Sequence, residues 1–439
     1  MRRIAVIGSG VAGLAAAWRL GAPGASHRVT LFEADSHFGG HAHTVDLCLD
    51  GVSHGVDTGF LVFNHRTYPL LTELFQTLGV ETAPSDMSFS VQVPGRDGRE
   101  GLEWSGSSLN TVFAQRRNLL KPGFWRLLGE ILRFNRLCTD LALRGDDAQL
   151  DGSIEDFLAG YQFDRAFQDH YLLPMVACIW SCPTDQMLRF PIRTLIRFCH
   201  NHGLIQVNDR PQWHTVRGGS RQYVRQLLQR LSDARLNMPV LGVQRQAQGA
   251  RVLTVQGAES FDAVVFACHT DQALALLGDD ATPQERALLG AIRYQSNEAV
   301  LHTDASVLPR RRLAWAAWNY ERAAEAGREG AQVCLHYLLN RLQPLPWAQP
   351  VVVSLNPVRP VDERLVHRRI RYAHPVFDRA AMQAQAQLPQ LQGQRHTWFC
   401  GAWSGYGFHE DGLRSGFDAA DAVEAALARR DAVAEQGAA

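Results

Sequence analysis

Lysine is nearly missing from this chain. Lys121 is the single one, and arginine supplies the rest of the 44 basic residues. Chemistry that needs a side-chain amine, a Schiff base above all, therefore has one candidate. Net charge is missing too. The 44 basic residues balance 44 acidic ones, so no overall field draws the protein to nucleic acid. No CxxC pair occurs among the eight cysteines, which are Cys48, Cys138, Cys178, Cys182, Cys199, Cys268, Cys334 and Cys400. A chain of 439 residues needs no disulfide framework, so free thiols in a reducing, cytoplasmic setting are expected. No apolar run approaches the roughly 18 residues of a membrane span. No signal peptide is visible at Met1-Arg2-Arg3. His200-x-His202 with His214 lacks a complete metal-ligand spacing, and no metal is expected. Internal repeats and low-complexity tracts are absent as well.

What remains is a chain that is 46% hydrophobic, able to bury a large core in about two or three domains. Its first motif stands at the N-terminus. Ile4–Ile7 is a short apolar run that reads as a strand buried on both faces. Gly8-Ser9-Gly10-Val11-Ala12-Gly13 follows, a complete G-x-G-x-x-G, and Leu14–Leu20 continues as a helix. A second strand, Arg28–Phe32, ends on Glu33. Gly8 permits the tight turn, Gly10 lets a pyrophosphate approach the backbone, and Gly13 lets the helix pack on the sheet. The helix N-terminus faces the phosphates with free N–H groups. Glu33, about 20 residues further on, is placed to accept hydrogen bonds from an adenosine ribose, and its charge disfavours a 2′-phosphate. This βαβ unit fits either FAD or NAD.

Three further segments resemble the flavin amine oxidase and phytoene desaturase superfamily, and they select FAD. Gly39-Gly40-His41, after Glu33-Ala34, is similar to its second diglycine element. A basic residue usually follows that pair. His41 holds the place here, which leaves the charge of the phosphate contact open. Asp57-Thr58-Gly59-Phe60 resembles the loop beside the flavin ring. Thr397–Trp403 and Glu410–Gly416 resemble a strand ending at Gly401 and a helix beginning near Gly412-Leu413. In that superfamily the strand end touches the ribityl and pyrophosphate groups. The helix start faces the pyrimidine edge, which gains negative charge on reduction. An acid often follows the strand-ending glycine in the family. Ala402 lacks it, so the ribityl contact must come from elsewhere. Pro239-Val240 matches a strand whose backbone meets adenine, and Phe261–Cys268 is a buried strand expected to close the cofactor sheet.

The resemblance implies an α/β fold, a Rossmann-like FAD-binding domain of the glutathione-reductase/amine-oxidase type with an inserted α+β substrate domain. The expected FAD-binding domain is 1–58, 214–285 and 395–439, and the expected substrate domain is 59–213 and 286–394. Within the insert, 121–143 has helical periodicity, with Phe124, Leu127, Leu128, Ile131, Phe134, Leu137, Cys138 and Leu141 on one side. It reads as a helix packed on the core, or as a basic amphipathic helix in peripheral contact with the inner membrane face. His170–Pro183 is apolar and reads as pocket lining.

Amine oxidases of the superfamily typically place a lysine near the flavin. The corresponding region, Asn297–Asp304, has none, and Lys121 is distant in motif order. Leu301–Asp304, Trp315–Tyr320 and Gly405–Gly412 resemble a bacterial subgroup of NAD/FAD-binding proteins. Genes of that subgroup often sit beside cyclopropane-fatty-acid synthase-like methyltransferases, which implies a methyltransferase partner and lipid acyl chains as substrates. The first expectation is a desaturase or double-bond isomerase acting on a hydrophobic, methylated or unsaturated acyl chain. An unusual amine oxidase and a non-catalytic, FAD-bound, lipid-presenting subunit are the alternatives. No catalytic residue is identified. His302, Tyr320, Tyr406 and His409 are the candidates, the first paired with Asp304 on a strand face and the last two by position between cofactor elements.

Overall fold

The apolar run at the N-terminus forms the strand Arg2–Ile7, and its last four residues are fully buried. It sits in the middle of a five-stranded parallel sheet. The strand order is Ala234–Arg235, His27–Phe32, Arg2–Ile7, Ala263–Phe266, Thr397–Phe399. Burial on both faces explains the apolar runs Ile4–Ile7 and Ala263–Phe266 in two inner strands of the sheet. The expected closing strand near Phe261–Cys268 lies inside this sheet, and Thr397–Phe399 forms the edge instead. Val240 opens a separate three-stranded antiparallel sheet, Val240–Gln246, Gly249–Thr254 and Gly257–Phe261. The computed structural model describes residues 1–25, 27–95, 101–145, 150–206, 210–323 and 333–438.

The first helix, Val11–Leu20, and the last, His409–Ala438, pack side by side along the cofactor sheet. Glycine permits their closeness. A Cβ on Gly412 would stand 2.6 Å from Val11, and one on Gly416 would stand 2.2 Å from the Ala12 carbonyl oxygen. The final helix begins at His409, one turn earlier than the expected start near Gly412.

A seven-stranded sheet forms the other large element. Its order is Val366–Val376, Arg293–His302, Val352–Leu355, Leu335–Leu338, Trp318–Glu321, Phe89–Val93, Leu102–Ser105. All neighbours are antiparallel except Trp318–Glu321 with Phe89–Val93. A short sheet joins Phe63–Asn64, Trp213–Val216 and Thr82–Ser85. The helix expected over 121–143 spans Pro122–Arg144 and buries Phe124, Leu127, Phe134, Cys138 and Leu141. Among the described residues, no helix is long and apolar enough to cross a membrane. All eight cysteines are free thiols.

Candidate active site

The glycine turn is built as its spacing implies. Gly8 has φ +103°, and a Cβ there would stand 2.7 Å from the Ala267 carbonyl oxygen. At Gly13 a Cβ would stand 1.9 Å from the Gly8 carbonyl oxygen, so the helix rests directly on its own entry turn. Gly10 differs, because a Cβ there meets nothing within 4 Å. It faces a cavity of about 1220 Å³. No side chain caps this helix and no acid occupies its first turn. Its first N–H groups, which lack intrahelical acceptors, are left for a phosphate. Such a cradle fits a dinucleotide.

Around Gly10 the cavity is lined by Ile7, Gly8, Ser9, Val11, Ala12, Glu33, Ala34, Gly39, Gly40, His41, Gly59, Phe60, Val240 and Gly401. Gly13, Thr58, Gly412 and Leu413 do not line it. Gly13 and Gly412 act in helix packing, and Leu413 is fully buried. Glu33 reaches the cavity half-buried, and its carboxylate accepts from the Ser9 N–H at 2.9 Å, the Ser9 hydroxyl and the Asp35 N–H at 2.9 Å. Asp57 acts as a clasp. It accepts from the Ser220 N–H (2.9 Å), the Ser220 and Thr44 hydroxyls and the Gln343 amide, tying the 57–60 loop to the 216–220 turn. Burial still pushes its carboxyl up to about 6.

At the second diglycine element the protein around His41 favours its neutral form. Its Nε2 is buried without a partner, and its ring stacks on Tyr372 with centroids 4.8 Å apart. Burial first, then the neighbouring His374, holds it well below the usual histidine range. The position that a cation usually fills is therefore neutral at pH 7.

Beyond the glycine turn the cavity is ringed by uncharged imidazoles and aromatics. His374 lies 5.2 Å from His41 and accepts at Nδ1 from the Asn297 amide at 2.8 Å. The Asn297 oxygen accepts from Asn356, which fixes the amide orientation and leaves the proton of His374 on Nε2. Burial lowers His374 to about 4 and His409 to about 3. His409 stacks on Phe60 at 3.7 Å and contacts the Tyr223 hydroxyl at 3.1 Å. His269 stacks on Tyr294 at 4.2 Å. Tyr372 shares its hydroxyl with Thr58 (2.8 Å) and His43 (3.1 Å). Asn297, in the lysine-free region, thus reaches the chamber by holding His374.

Of the four catalytic candidates, Tyr406 and His409 line the cavity and His302 and Tyr320 do not. Strand alternation is the reason for His302. Leu301, Val353, Tyr337 and Trp318 follow one another across the sheet on the cavity side. His302 lies on the other face, bonded to the Ser354 hydroxyl and the Asp304 N–H. Tyr320 shares the face of Trp318 but lies two residues further along, opposite Leu335. Sequence reading missed Tyr372, His374, His269 and Tyr294, which belong to no motif. The i, i+2 spacing of Ile370, Tyr372 and His374 was the one available signal.

The distal arm of the cavity is apolar. Trp104, Tyr171, Met175, Ile179, Trp180, Phe198, Trp318 and Tyr337 wall it, so the His170–Pro183 segment does line a pocket. Its one carboxylate among the described lining residues, Asp86, is already bonded to Ser88 and Arg341.

A family model described as flavin containing amine oxidoreductase matches residues 11–335. Putrescine oxidase bound to putrescine has the same fold, with TM-score 0.67 at 17% identity, covering 97% of this chain and 99% of that one. The CLA-producing fatty acid isomerase from P. acnes gives TM-score 0.65 at 17% identity over 95% and 97%. Cyclohexylamine oxidase from Brevibacterium oxydans IH-35A gives 0.65 at 16% over 97% and 99%. At these identities the likeness concerns the fold.

Proposed function

The chain belongs to the flavin containing amine oxidoreductase family and is an FAD-dependent oxidoreductase, and from that premise we propose that it desaturates an acyl chain or shifts its double bond. The carrying observation is the distal arm. It is walled chiefly by aromatic and aliphatic side chains, and its one carboxylate among the described lining residues is spent on a serine and an arginine. An alkylammonium group would be desolvated there without a counter-charge, which is costly. A hydrocarbon chain would bury its surface at a gain of roughly 0.8 kcal/mol per CH₂.

FAD supplies hydride acceptance when bound. The protein's share is to exclude water, to align the chain along the aromatic wall, and to offer neutral imidazoles at His374 and His409. Neutrality matters, since a cationic ring there would need compensation in an apolar chamber. Neighbours named for amine oxidation and for fatty acid isomerisation both share the fold, so the cavity chemistry carries the choice.

Anaerobic mixing tests it. A desaturated acyl lipid should leave its electrons on the flavin and bleach it, an isomerised one should leave the flavin yellow and emerge with a shifted double bond by mass spectrometry, and small amines should do neither. Bleaching by amines alone, with peroxide released in air, would sink the acyl reading.

A further inference from the structure

The long helix Pro122–Arg144 buries one side and leaves Trp125 51% exposed on the other. Just ahead of it, Leu109 is 78% and Leu120 is 87% exposed. Leu119 is exposed as well. These are built features and not frayed ends. The Trp125 indole N–H donates to the Leu119 carbonyl at 2.9 Å, its ring packs 5.1 Å from Phe113, and the Arg116 guanidinium donates to the Phe113 carbonyl at 2.9 Å.

Along this stretch the sequence carries one sign of charge. From Trp104 to Gly129 the sequence carries Arg116, Arg117, Lys121 and Arg126 and no carboxylate. The single lysine of the chain falls here. Arg126 pairs with Asp164 from elsewhere in the chain, which leaves Arg116 and Lys121, both exposed, as the cations the patch presents. The patch also adjoins an opening. Gly106 and Ser107, exposed lining residues of the distal arm, immediately precede Leu109. Arg210 and Gln212 are also exposed and line the same cavity.

We propose that the surface formed by Leu109, Leu119, Leu120 and Trp125 with Arg116 and Lys121 docks on an anionic lipid bilayer and sets the mouth of the distal arm against it. Leucine and tryptophan interleaved with cations suit an interface that is apolar at depth and anionic at its surface. A protein partner of matching chemistry would need acidic and apolar groups in register. A bilayer supplies both without register. The placement also gives a water-insoluble chain a route that avoids bulk solvent, and in this it rests on the acyl-chain reading. The docking itself does not require that reading.

Vesicle sedimentation of the intact flavoprotein tests it without any substrate turnover. Vesicles containing phosphatidylglycerol should bind the protein at low salt, and phosphatidylcholine vesicles should bind it at least about tenfold more weakly. Raised salt should release it. Lys121→Glu should weaken partitioning roughly thirtyfold at low salt, from about 1 kcal/mol per charge. Leu119→Asn with Leu120→Asn should weaken it about tenfold or more. Flavin absorbance should stay intact in every variant, which separates lost docking from lost folding. Equal binding to both vesicle types, variants that bind like the parent, or capture of a protein partner through this patch with no vesicle binding would each overturn the proposal. Vesicle binding with neither flavin bleaching nor a shifted double bond in acyl lipids would leave the docking standing and remove the substrate reading.

Discussion

Gly10 and Gly13 stand three residues apart and answer to different neighbours. The space beside Gly10 is empty of protein, while a Cβ on Gly13 would overlap the Gly8 carbonyl. Gly10→Val should therefore give an apoprotein of near-parental Tm that takes up no flavin. Gly13→Val should lower the apoprotein Tm as well as flavin uptake. Thermal melts beside reconstitution titrations separate the two, and equal Tm losses would refute the assignment. Glu33→Gln should weaken FAD binding roughly ten- to hundredfold, the value of a charge-assisted hydrogen bond. His374 is the residue by which the acyl reading gains a polar contact. His374→Phe should slow anaerobic flavin reduction about a hundredfold with little change in flavin affinity. An unchanged rate would remove His374 from the chemistry.

Among the elements, strand alternation decided which candidates could act. His302 and Asp304 share a face by their spacing, but nothing in the sequence says which face looks into the cavity. Pairing of Arg293–His302 with Val352–Leu355 sets that. The helix Pro122–Arg144 was legible because its apolar side repeats with helical period over six turns. The start of the last helix was not legible. Gly405–Gly412 contains no capping pattern strong enough to fix the first turn, and the Asp411 carboxylate accepts from the Tyr406 and Phe408 N–H groups. Among the described ion pairs, Arg245–Glu285 has both side chains at 0% exposure. It ties the small antiparallel sheet to the helix Pro283–Gly290. Arg245→Ala should cost about 3–5 kcal/mol, because it strands a buried carboxylate. Arg245→Met with Glu285→Leu should recover most of that loss. Urea unfolding of the three proteins checks the order.

The molecule as a whole holds an unusual store of neutral histidine. Burial lowers His43, His202, His302 and His374 to about 4 and His409 to about 3. In the unfolded chain each would titrate near 6.5. Below that pH the unfolded state binds protons that the folded state refuses, so stability falls as pH drops from about 6.5 toward 4. Asp57 and Asp411, both raised to about 6, act in the opposite direction between about 4 and 6, but five groups outweigh two. Denaturation midpoints at pH 7, 5.5 and 4.5 should decline, and His409→Phe should flatten the decline. A midpoint that rises on acidification would contradict the burial of these rings.

Local spacing carried the cofactor end of the protein. A strand, a glycine turn, a helix and an acid are contiguous in sequence, so their chemistry can be read before any folding is known. The C-terminal strand and helix were legible by their resemblance, although the meeting of that helix with Val11 and Ala12 depends on helix packing. The aromatic and imidazole wall of the cavity was decided by tertiary structure alone. Tyr372 and His374 come from one strand and His269 and Tyr294 from two other stretches, and only the folded chain brings all four to one cavity. Their neutrality follows from burial, a property that no single stretch of sequence possesses.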